Sequence, residues 1–543
     1  MNPRLQEMIA KARALAAEKE TTNPPLPNTV TIQNKYGEAI TLNSKQLEAV
    51  NYAKSNKSFC LIGAAGTGKT TSVLAVIEAL CNSDLPTYQS DGHRHLTTSG
   101  TPGIVGCAYT RTAVINLKKS MPAKMLANTL PSHALLEFAP VFIETFDSDG
   151  NLTVTRTFEP KRNKLNPLPD SIRCIIVEEA SMPSIELYTM LLDAIQHPVQ
   201  FIFIGDINQL PPVFGSAVLG FAMLDLPVVQ LTEVYRNAGP IISFAHRILS
   251  GKQLPQKDFA NYEAPDSIKI QTWQKSLHAD DACHLAAKAM CALIDSGQLS
   301  VATDIILCPF NKAFGTIELN NVIANHLALS RSATTYEIIT GFSTKYFAEG
   351  DRVMYDKEFG YITKIAPNTT YAGKVPQTAS PYLDRWGINN KPAPATTSLE
   401  TEEDIDSILN SFSSVDHNDE VKRQASHAIT ISLDNGEELL ISSAGEINSL
   451  ALGYAITVHK AQGNEWRKVV FALHQSHATM LSRELLYTGV TRAAKQLHII
   501  CEKNTFIKGI NSQKIKGDTL ADKAEFFKGK AIDSTLIANL RWG

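Results

Sequence analysis

Short apolar runs alternate with longer helical stretches over most of this 543-residue chain. Runs such as FCLIG (59–63), CIIVEE (174–179) and QFIFIGD (200–206) are short and rich in β-branched residues, which is typical of strands buried on both faces. A stretch with helical composition follows each run. This order predicts a doubly wound α/β fold with parallel sheets.

The strand-and-helix pattern occurs twice along the chain. One set of runs lies between about residues 45 and 235, and a second begins at ATDIILCPF (302–310) and resumes at NSLALGYAITVHKAQG (448–463). Just before it resumes, AITISLDNGEELLIS (428–442) alternates like a β-hairpin. We therefore predict two parallel-sheet α/β domains with a small β-rich insertion in the second.

The same patterns set the predicted domain boundaries. The segment VFIETFDSDGNLTVTRTF (141–158) places two alternating runs around Asp149-Gly150, a type I′ turn signal, and predicts a hairpin that projects from the first domain. The boundaries are an N-terminal helix and linker at 1–30, a first domain at 31–240 with a hairpin insertion at 138–170, a second domain at 241–360 and 446–543, and an inserted β-rich domain at 361–445.

Composition narrows the class of protein. With 44% hydrophobic residues, 19% charged residues and a net charge of -3, the chain has ordinary globular composition and no overall basic field. Its eight cysteines form no CxxC pair, which argues against zinc and a disulfide framework. No signal-peptide core or long apolar window occurs, so we expect a soluble, intracellular, cytoplasmic protein without a membrane partner.

The segment GAAGTGKT (63–70) matches the pattern GxxxxGK[ST] between an apolar strand and a helical stretch. Glycines let successive backbone N–H groups face phosphate oxygens at a helix N-terminus. In this pattern Lys69 reaches the outer phosphates and the Thr70 hydroxyl ligates Mg²⁺. The predicted nucleotide-binding residues of the loop are Gly63, Ala64, Ala65, Gly66, Thr67, Gly68, Lys69, Thr70 and Thr71.

Two further strand ends carry polar residues suited to hydrolysis. Glu178 and Glu179 end the run CIIV, and together they supply a carboxylate for the metal and a base for the attacking water. Gln209, in GDINQLPPVFG, follows the next strand and is placed to sense the terminal phosphate. Either strand end alone is also what an ordinary turn looks like, but with the phosphate loop they indicate nucleotide hydrolysis.

Seven motifs follow one another along the chain: LNSKQLEAV, GAAGTGKT, VEEAS, GDINQLPPV, LTEVYRN, YAITVHKAQGNEW and LLYTGVTRA. In this order they resemble the motifs of superfamily 1B DNA helicases of the RecD/Dda type, over about residues 42–500. The resemblance implies two RecA-like domains of the P-loop NTPase class, ATP and Mg²⁺ as cofactors in the cleft between them, and single-stranded DNA across their top. It also implies 5′→3′ movement, with the hairpin acting as a pin that parts the duplex.

The resemblance assigns nucleotide roles residue by residue. It makes Gln46 the adenine-reading glutamine, Glu179 the catalytic carboxylate and Gln209 the coupling glutamine. Arg236 and Arg492 match the arginines that reach the γ-phosphate, and we expect the Arg492 contact only when the cleft is closed. Glu178 departs from the usual aspartate, so this longer side chain has to hold the metal from a retracted backbone or a different rotamer.

The resemblance also assigns a nucleic-acid track. Its residues are Thr110, Arg111, His133, Phe146, Thr457 and His459, with Phe146 near the tip of the pin. Each has an alternative interpretation, since a lone histidine is often packed or capping and a hairpin aromatic often packs across strands. For the basic cluster of Lys161, Arg162 and Lys164, phosphate contact and a solvated loop both stay open.

The function predicted from these motifs is an ATP-dependent 5′→3′ DNA helicase acting in replication, recombination or repair. Its predicted partners are single-stranded and forked DNA, with single-strand-binding or replication proteins as candidates. The alternatives are a translocase subunit of a repair or recombination machine, an RNA helicase of the same superfamily, and a nucleotide-driven switch for a protein partner.

Overall fold

The computed structural model describes residues 31–33 and 39–532. The gaps within that range are 90–91, 98, 147–151, 213–214, 235–238, 252–262, 265–266, 274–276, 341–342, 357, 372, 374, 376–423 and 503.

The described residues contain 23 β-strands. They are β1 (Thr31–Gln33), β2 (Ala39–Thr41), β3 (Phe59–Gly63), β4 (Ile104–Ala108), β5 (Thr129–Pro131), β6 (Phe138–Phe146), β7 (Leu152–Pro160), β8 (Cys174–Glu178), β9 (Gln200–Gly205), β10 (Val228–Leu231), β11 (Glu263–Ala264), β12 (Ile268–Trp273), β13 (Asp304–Cys308), β14 (Thr335–Thr340), β15 (Ser343–Ala348), β16 (Arg352–Tyr355), β17 (Glu358–Pro367), β18 (Gln424–Leu433), β19 (Glu438–Ser443), β20 (Ala451–Leu452), β21 (Ala455–Thr457), β22 (Trp466–Leu473) and β23 (Ala493–Glu502).

The described residues also contain 13 α-helices. They are α1 (Ser44–Lys54), α2 (Lys69–Cys81), α3 (Arg111–Lys118), α4 (Ser132–Leu135), α5 (Ile185–Asp193), α6 (Val218–Asp225), α7 (Gly239–Leu249), α8 (Ala279–Asp295), α9 (Thr316–Ser330), α10 (Ala444–Ser449), α11 (Arg483–Val490), α12 (Thr505–Asn511) and α13 (Leu520–Ile532). Short 3-10 turns lie at Ala123–Asn128 and Gln475–His477.

The first lobe is built on a parallel six-stranded sheet in the order β10-β3-β9-β8-β4-β5. Successive residues of its strands feed two different cores. Cys60 and Ile62 pack on one face of the sheet, whereas Phe59 and Leu61 pack on the other. This double burial explains why the strands read as continuous apolar runs, and it confirms the predicted α/β class.

The second lobe is a six-stranded sheet in the order β11-β12-β23-β22-β13-β21, in which only the β11–β12 pair is antiparallel. Ile305 and Leu307 face one core while Ile306 and Cys308 face the other. The carboxyl ends of parallel strands meet at one edge of a sheet. Loops that follow strands in the two lobes therefore have the geometry to form a site between them.

Antiparallel β-structure is added to both lobes, as predicted. In the first lobe β6 and β7, each nine residues long, form a hairpin whose turn, 147–151, lies outside the described residues. In the second lobe five strands form an antiparallel sheet in the order β19-β18-β17-β16-β20, and residues such as Ile362 and Ile431 join one core of the parallel sheet.

The C-terminal helix α13 returns to the first lobe. Phe527 is 3% exposed and packs in a first-lobe core, with its ring edge-on to Phe221 of α6. The predicted boundaries placed 446–543 in the second domain, and those boundaries stay a prediction. All eight cysteines are unpaired. Among the described helices, none has the length and apolar character needed to cross a membrane.

Candidate nucleotide site and nucleic-acid track

The phosphate loop curls between β3 and α2. Gly66 and Gly68 have φ values of 78° and 83°, in the left-handed region that favours glycine. A Cβ at Gly63 would lie 2.4 Å from Thr67 Oγ1, so a larger residue there would collide with the loop. Lys69 Nζ lies inside the curve and donates to Gly63 O at 2.6 Å and Ala64 O at 3.1 Å.

The predicted acidic pair lies at the end of β8 beside this loop, with Glu178 as the last residue of the strand. Burial and the neighbouring Glu179 raise the pKa of Glu178 to about 8, while the Lys69 ammonium acts in the opposite direction. Glu179 has a φ of 51°, which is unusual for a residue with a Cβ and re-aims its side chain straight after the strand. Oε2 of each carboxylate is buried without a hydrogen-bond partner.

A divalent cation is implied by the phosphate loop, and the donor set fits one. Mg²⁺ takes oxygen ligands, usually one or two carboxylates together with substrate phosphates and water. Glu178 offers a buried, unpartnered carboxylate oxygen near Lys69, and Thr70 lies exposed in the first turn of α2. A nearby positive charge would also favour the ionised form of Glu178 against its burial.

Gln209 lies in a loop that the second lobe contacts at the next residue, Leu210. Its side chain is 4% exposed, and Oε1 has no hydrogen-bond partner. The next residue, Leu210, donates its N–H to Thr488 Oγ1 at 3.0 Å and accepts at its carbonyl from Gln462 Nε2 at 3.0 Å. The predicted coupling glutamine therefore lies at the junction of the lobes.

Gln46 caps and completes the start of α1. Its Oε1 accepts from Asn43 N at 2.9 Å, and Asn43 Oδ1 accepts from Gln46 N at 2.8 Å, which is a capping box. The residue is fully buried, yet its Nε2 has no partner. A buried amide with a spare donor suits recognition of a ring nitrogen, as predicted for adenine.

The two predicted arginines have different outcomes. Arg492 is 8% exposed, and its nitrogens donate to the carbonyls of Thr488 (3.1 Å) and Asn464 (3.0 Å) and to Thr491 Oγ1 (3.1 Å). All three partners belong to the second lobe. Arg236 lies outside the described residues. Contact of either arginine with a phosphate stays a prediction.

Tyr487, which is not among the site residues predicted from the sequence, links the lobes at the phosphate loop. Its hydroxyl accepts from Ala65 N at 2.7 Å and donates to Asp206 Oδ2 at 2.5 Å. Burial and the Asp206 carboxylate raise the pKa of Tyr487 well above its ordinary value, so the hydroxyl keeps its proton. The available signal was a polar aromatic residue inside the apolar stretch LLYTGV.

Track residues of the first lobe lie beside the second lobe at a second junction. Thr110 caps α3 by accepting from Ala113 N at 3.2 Å, and a Cβ on Gly463 would lie 3.4 Å from the Thr110 hydroxyl. Asn116 Nδ2 donates to Gly463 O at 2.8 Å. Arg111 pairs with Asp356 Oδ2 at 2.6 Å and is 40% exposed at its side chain, so its charge is partly neutralised.

Two of the remaining track residues, Thr457 and His459, offer polar but uncharged groups. Thr457 Oγ1 accepts from Lys460 N at 3.3 Å, and the hydroxyl retains a hydrogen to donate. Burial, with a smaller effect of Lys514, lowers the pKa of His459 to about 4, so its imidazole carries no charge at pH 7. His133 is half-buried on α4.

The predicted pin lies only partly within the described residues. The backbone of Phe146 pairs with Leu152 at the last described step of the hairpin, whereas the Phe146 side chain and Asp149-Gly150 lie outside the described residues. For the basic cluster, both interpretations are wrong for Arg162. It is 6% exposed and donates to Glu137 Oε2 at 2.8 Å and to two backbone carbonyls. Lys164 is exposed and pairs with Asp193 at 3.1 Å.

Comparisons with known proteins match both lobes. A family model described as an AAA domain matches residues 46–215, and one described as a UvrD-like helicase C-terminal domain matches residues 452–500. The ATP-dependent RecD2 DNA helicase of Deinococcus radiodurans is 28% identical over 407 residues, 75% of this chain and 46% of its own. This chain therefore spans about half the length of that relative.

Two other relatives cover different shares. The RecBCD enzyme subunit RecD of Buchnera aphidicola is 24% identical over 84% of this chain and 72% of its own, and the ATP-dependent DNA helicase dda of Enterobacteria phage T4 is 32% identical over 35% and 37%. The resemblance to superfamily 1 helicases of the RecD and Dda type is confirmed. A solved Pif1 helicase from Bacteroides, in complex with ADP-AlF3 and ssDNA, aligns over 92% of this chain and 99% of its own at 15% identity, with a TM-score of 0.45.

The matched regions account for most of the predicted site of this RecD- and Dda-like chain. Gln46, the phosphate loop, the acidic pair and Gln209 all fall within 46–215, while Thr457, His459 and Arg492 fall within 452–500. Arg236 lies between the two regions. Asp206 and Tyr487, which bond across the junction of the lobes, lie one in each region.

Proposed function

We propose that this chain is an ATP-dependent DNA helicase that moves 5′→3′ along a single strand and unwinds duplex DNA. One observation carries the proposal: the phosphate loop and the Gln209 loop of the first lobe are both bonded to the second lobe, through Tyr487 and through Thr488 with Gln462. A nucleotide bound at such a junction acts on the relative position of the lobes.

The residues of the first lobe take the chemical roles in this proposal. Lys69 withdraws charge from the outer phosphates, and Glu179 takes a proton from the attacking water. Gln209 senses the terminal phosphate, and its neighbour Leu210 passes the change to the second lobe. Gln46 donates to the adenine ring with its spare N–H.

Mg²⁺ is the cation that the donor set accommodates. Thr70 and Glu178 would hold it, and when bound it offsets the charge on the phosphates. Glu178 replaces the customary aspartate, so the protein has to compensate for one extra methylene. The unpartnered Oε2 of Glu178 supports the assignment.

The second lobe supplies donors that depend on closure. Arg492 is held ready by three bonds within its own lobe, and a guanidinium suits the charge that develops on a transferred phosphoryl group. With Arg236 from the segment before α7, it completes the site in the proposed mechanism. Closing and reopening the lobes then moves Thr110 and Arg111 against Thr457 and His459 along the strand.

DNA binding in this proposal is independent of sequence. The track offers hydroxyl and imidazole groups and one partly paired arginine, which suits a loose grip on phosphates that can be released at each step. In the proposed mechanism the β6–β7 hairpin is the wedge that excludes the second strand. Single-stranded and forked DNA are the proposed partners.

A forked duplex with one single-stranded tail tests the proposal. Purified protein with ATP and Mg²⁺ is expected to release the strand from a 5′-tailed fork and to leave a 3′-tailed fork intact. Lys69→Ala, which removes the ammonium group in the loop, is expected to abolish both hydrolysis and strand release. Hydrolysis stimulated by DNA without strand release would favour a translocase subunit, and stimulation by RNA alone would favour an RNA helicase.

A further inference from the structure

The hydroxyl of Tyr487 lies where the two lobes meet beside the phosphate loop. We propose that Tyr487 is a positioning residue for ATP hydrolysis, which docks the second lobe on the phosphate loop and thereby sets where Arg492 stands. This inference rests on the proposed ATPase. It assigns a role in hydrolysis to a side chain that contacts none of the reacting atoms.

The contact joins three separate parts of the fold. Tyr487 is fully buried on α11, while Ala65 belongs to the loop after β3 and Asp206 to the loop after β9. The tyrosine oxygen accepts from Ala65 N and its hydrogen goes to Asp206 Oδ2. One hydroxyl thus ties the second lobe to two neighbouring strand ends of the first.

Asp206 extends the contact into a longer buried network. Its Oδ1 accepts from the backbone N and the Nδ2 of Asn208, at 3.0 and 3.1 Å. Asn208 Oδ1 in turn accepts from Lys523 Nζ at 2.8 Å, on the C-terminal helix α13 that packs on the first lobe. The Asp206 carboxylate is therefore held rigidly from its own side, so it can act as a fixed anchor for Tyr487.

The same short helix connects Tyr487 to Arg492. Helix α11 is eight residues long, and every residue from Glu484 to Val490 is buried. Thr488 follows Tyr487, and its carbonyl accepts from Arg492 Nε. The Thr488 hydroxyl accepts from Leu210 N. A shift of Tyr487 from its anchor would therefore move the Arg492 guanidinium with it.

A second tyrosine provides a matched control. Tyr454 Oη also accepts from a backbone N–H, that of Arg352 at 3.0 Å, and donates to a buried aspartate, Asp351, at 3.1 Å. All three residues lie within the second lobe and its inserted sheet. Tyr454→Phe removes the same kind of hydroxyl from the same kind of pair without touching the junction.

The test compares Tyr487→Phe with Tyr454→Phe and the wild type. The readout is the ratio of kcat with single-stranded DNA to kcat without it, since this ratio does not depend on the fraction of folded protein. Tyr487→Phe is expected to lower the ratio about tenfold, the size of one hydrogen bond to a charged group. Tyr454→Phe is expected to keep the ratio within about twofold of wild type. Thermal melts of both variants record any loss of stability.

Each outcome is decisive. A wild-type ratio in Tyr487→Phe, or the same fall in both variants, overturns the positioning role. If Tyr487→Phe does not fold, Asp206→Asn tests the contact from the first lobe by the same ratio, and an unchanged ratio there overturns the role. A wild-type protein without DNA-stimulated hydrolysis would instead refute the proposed function.

Discussion

The two lobes have similar parallel sheets, yet they treat their polar groups at the junction in opposite ways. In the first lobe Glu178, Glu179 and Gln209 each keep a buried oxygen without a partner. In the second lobe Arg492 bonds through all three of its nitrogen positions, and Tyr487 and Thr488 are bonded to the first lobe.

This difference indicates a division of labour. A buried polar group without a partner costs about 1–3 kcal/mol, so a group of them at neighbouring strand ends points to a ligand that satisfies them. A fully bonded arginine is already oriented and loses little entropy when it meets a new charge. In the proposed mechanism the first lobe carries the chemistry, and the second lobe carries donors whose position depends on lobe contact.

The largest effect is expected from removal of Arg492, the arginine donor of the second lobe. Arg492→Ala is expected to lower kcat for DNA-stimulated ATP hydrolysis by about 10³-fold, the scale of a lost arginine finger. Binding of a fluorescent ADP is expected to change little, because ADP lacks the terminal phosphate. Lys495→Ala, an exposed charge three residues away, is the control. Equal losses of hydrolysis and ADP binding would show that Arg492 acts only on folding.

Removal of Glu179, the proposed general base in the first lobe, is expected to have the next largest effect. Glu179→Gln removes the proton acceptor with almost no change of shape, and we expect kcat to fall by about 10²-fold or more. Nucleotide affinity, measured by equilibrium binding, is expected to stay near that of wild type. Glu186→Gln, on the following helix α5, serves as the control. Hydrolysis near the wild-type rate in Glu179→Gln would contradict the assignment.

Arg111 tests the track at the second junction. Arg111→Gln is expected to weaken binding of single-stranded DNA and to reduce the slope of log K against log salt by about 0.7, the value for one phosphate contact. Lys119→Gln, at the exposed residue directly after the same helix, is expected to leave the slope unchanged. An unchanged slope in Arg111→Gln would mean that the ion pair with Asp356 already neutralises the charge of Arg111.

The smallest effect concerns acid stability in the second lobe. Burial, together with His474, lowers the pKa of His477 to about 4, against an ordinary value of 6.5. The unfolded chain therefore takes up a proton below pH 6.5 while the folded protein does so only near pH 4, so stability is lost as pH falls through that window.

Unfolding at pH 7 and pH 5 measures this loss. In His477→Asn the fall in unfolding free energy between the two pH values is expected to be smaller than in wild type by about 1–2 kcal/mol. Replacement of the exposed His284 by Gln is the control. A fall as large in His477→Asn as in wild type would show that other groups govern acid stability.

Local patterns were enough to predict much of the molecule. The strands at 59–63, 174–178 and 200–205 follow from continuous apolar runs, and the phosphate loop follows from its glycines and the helix after it. These features depend on residues close in sequence. The fold class and the nucleotide loop are therefore accessible without any structure.

Contacts between distant residues were not accessible. Tyr487 and Asp206 are 281 residues apart, and nothing local marks them as partners. Arg162 belongs to a basic cluster that suggests an exposed surface. Its side chain is nevertheless buried and donates to Glu137 and to backbone carbonyls. The left-handed backbone of Glu179 likewise depends on tertiary packing, because no local preference favours it there.

The central claim is that a nucleotide between the lobes sets their relative position. Spin labels at Lys119→Cys in the first lobe and Lys495→Cys in the second would report that position by pulsed electron resonance. With single-stranded DNA, a non-hydrolysable ATP analogue is expected to shift the distance distribution from that of nucleotide-free protein, and Lys69→Ala is expected to remove the shift. Superimposable distributions with and without the analogue, on protein shown to bind it, would contradict the account.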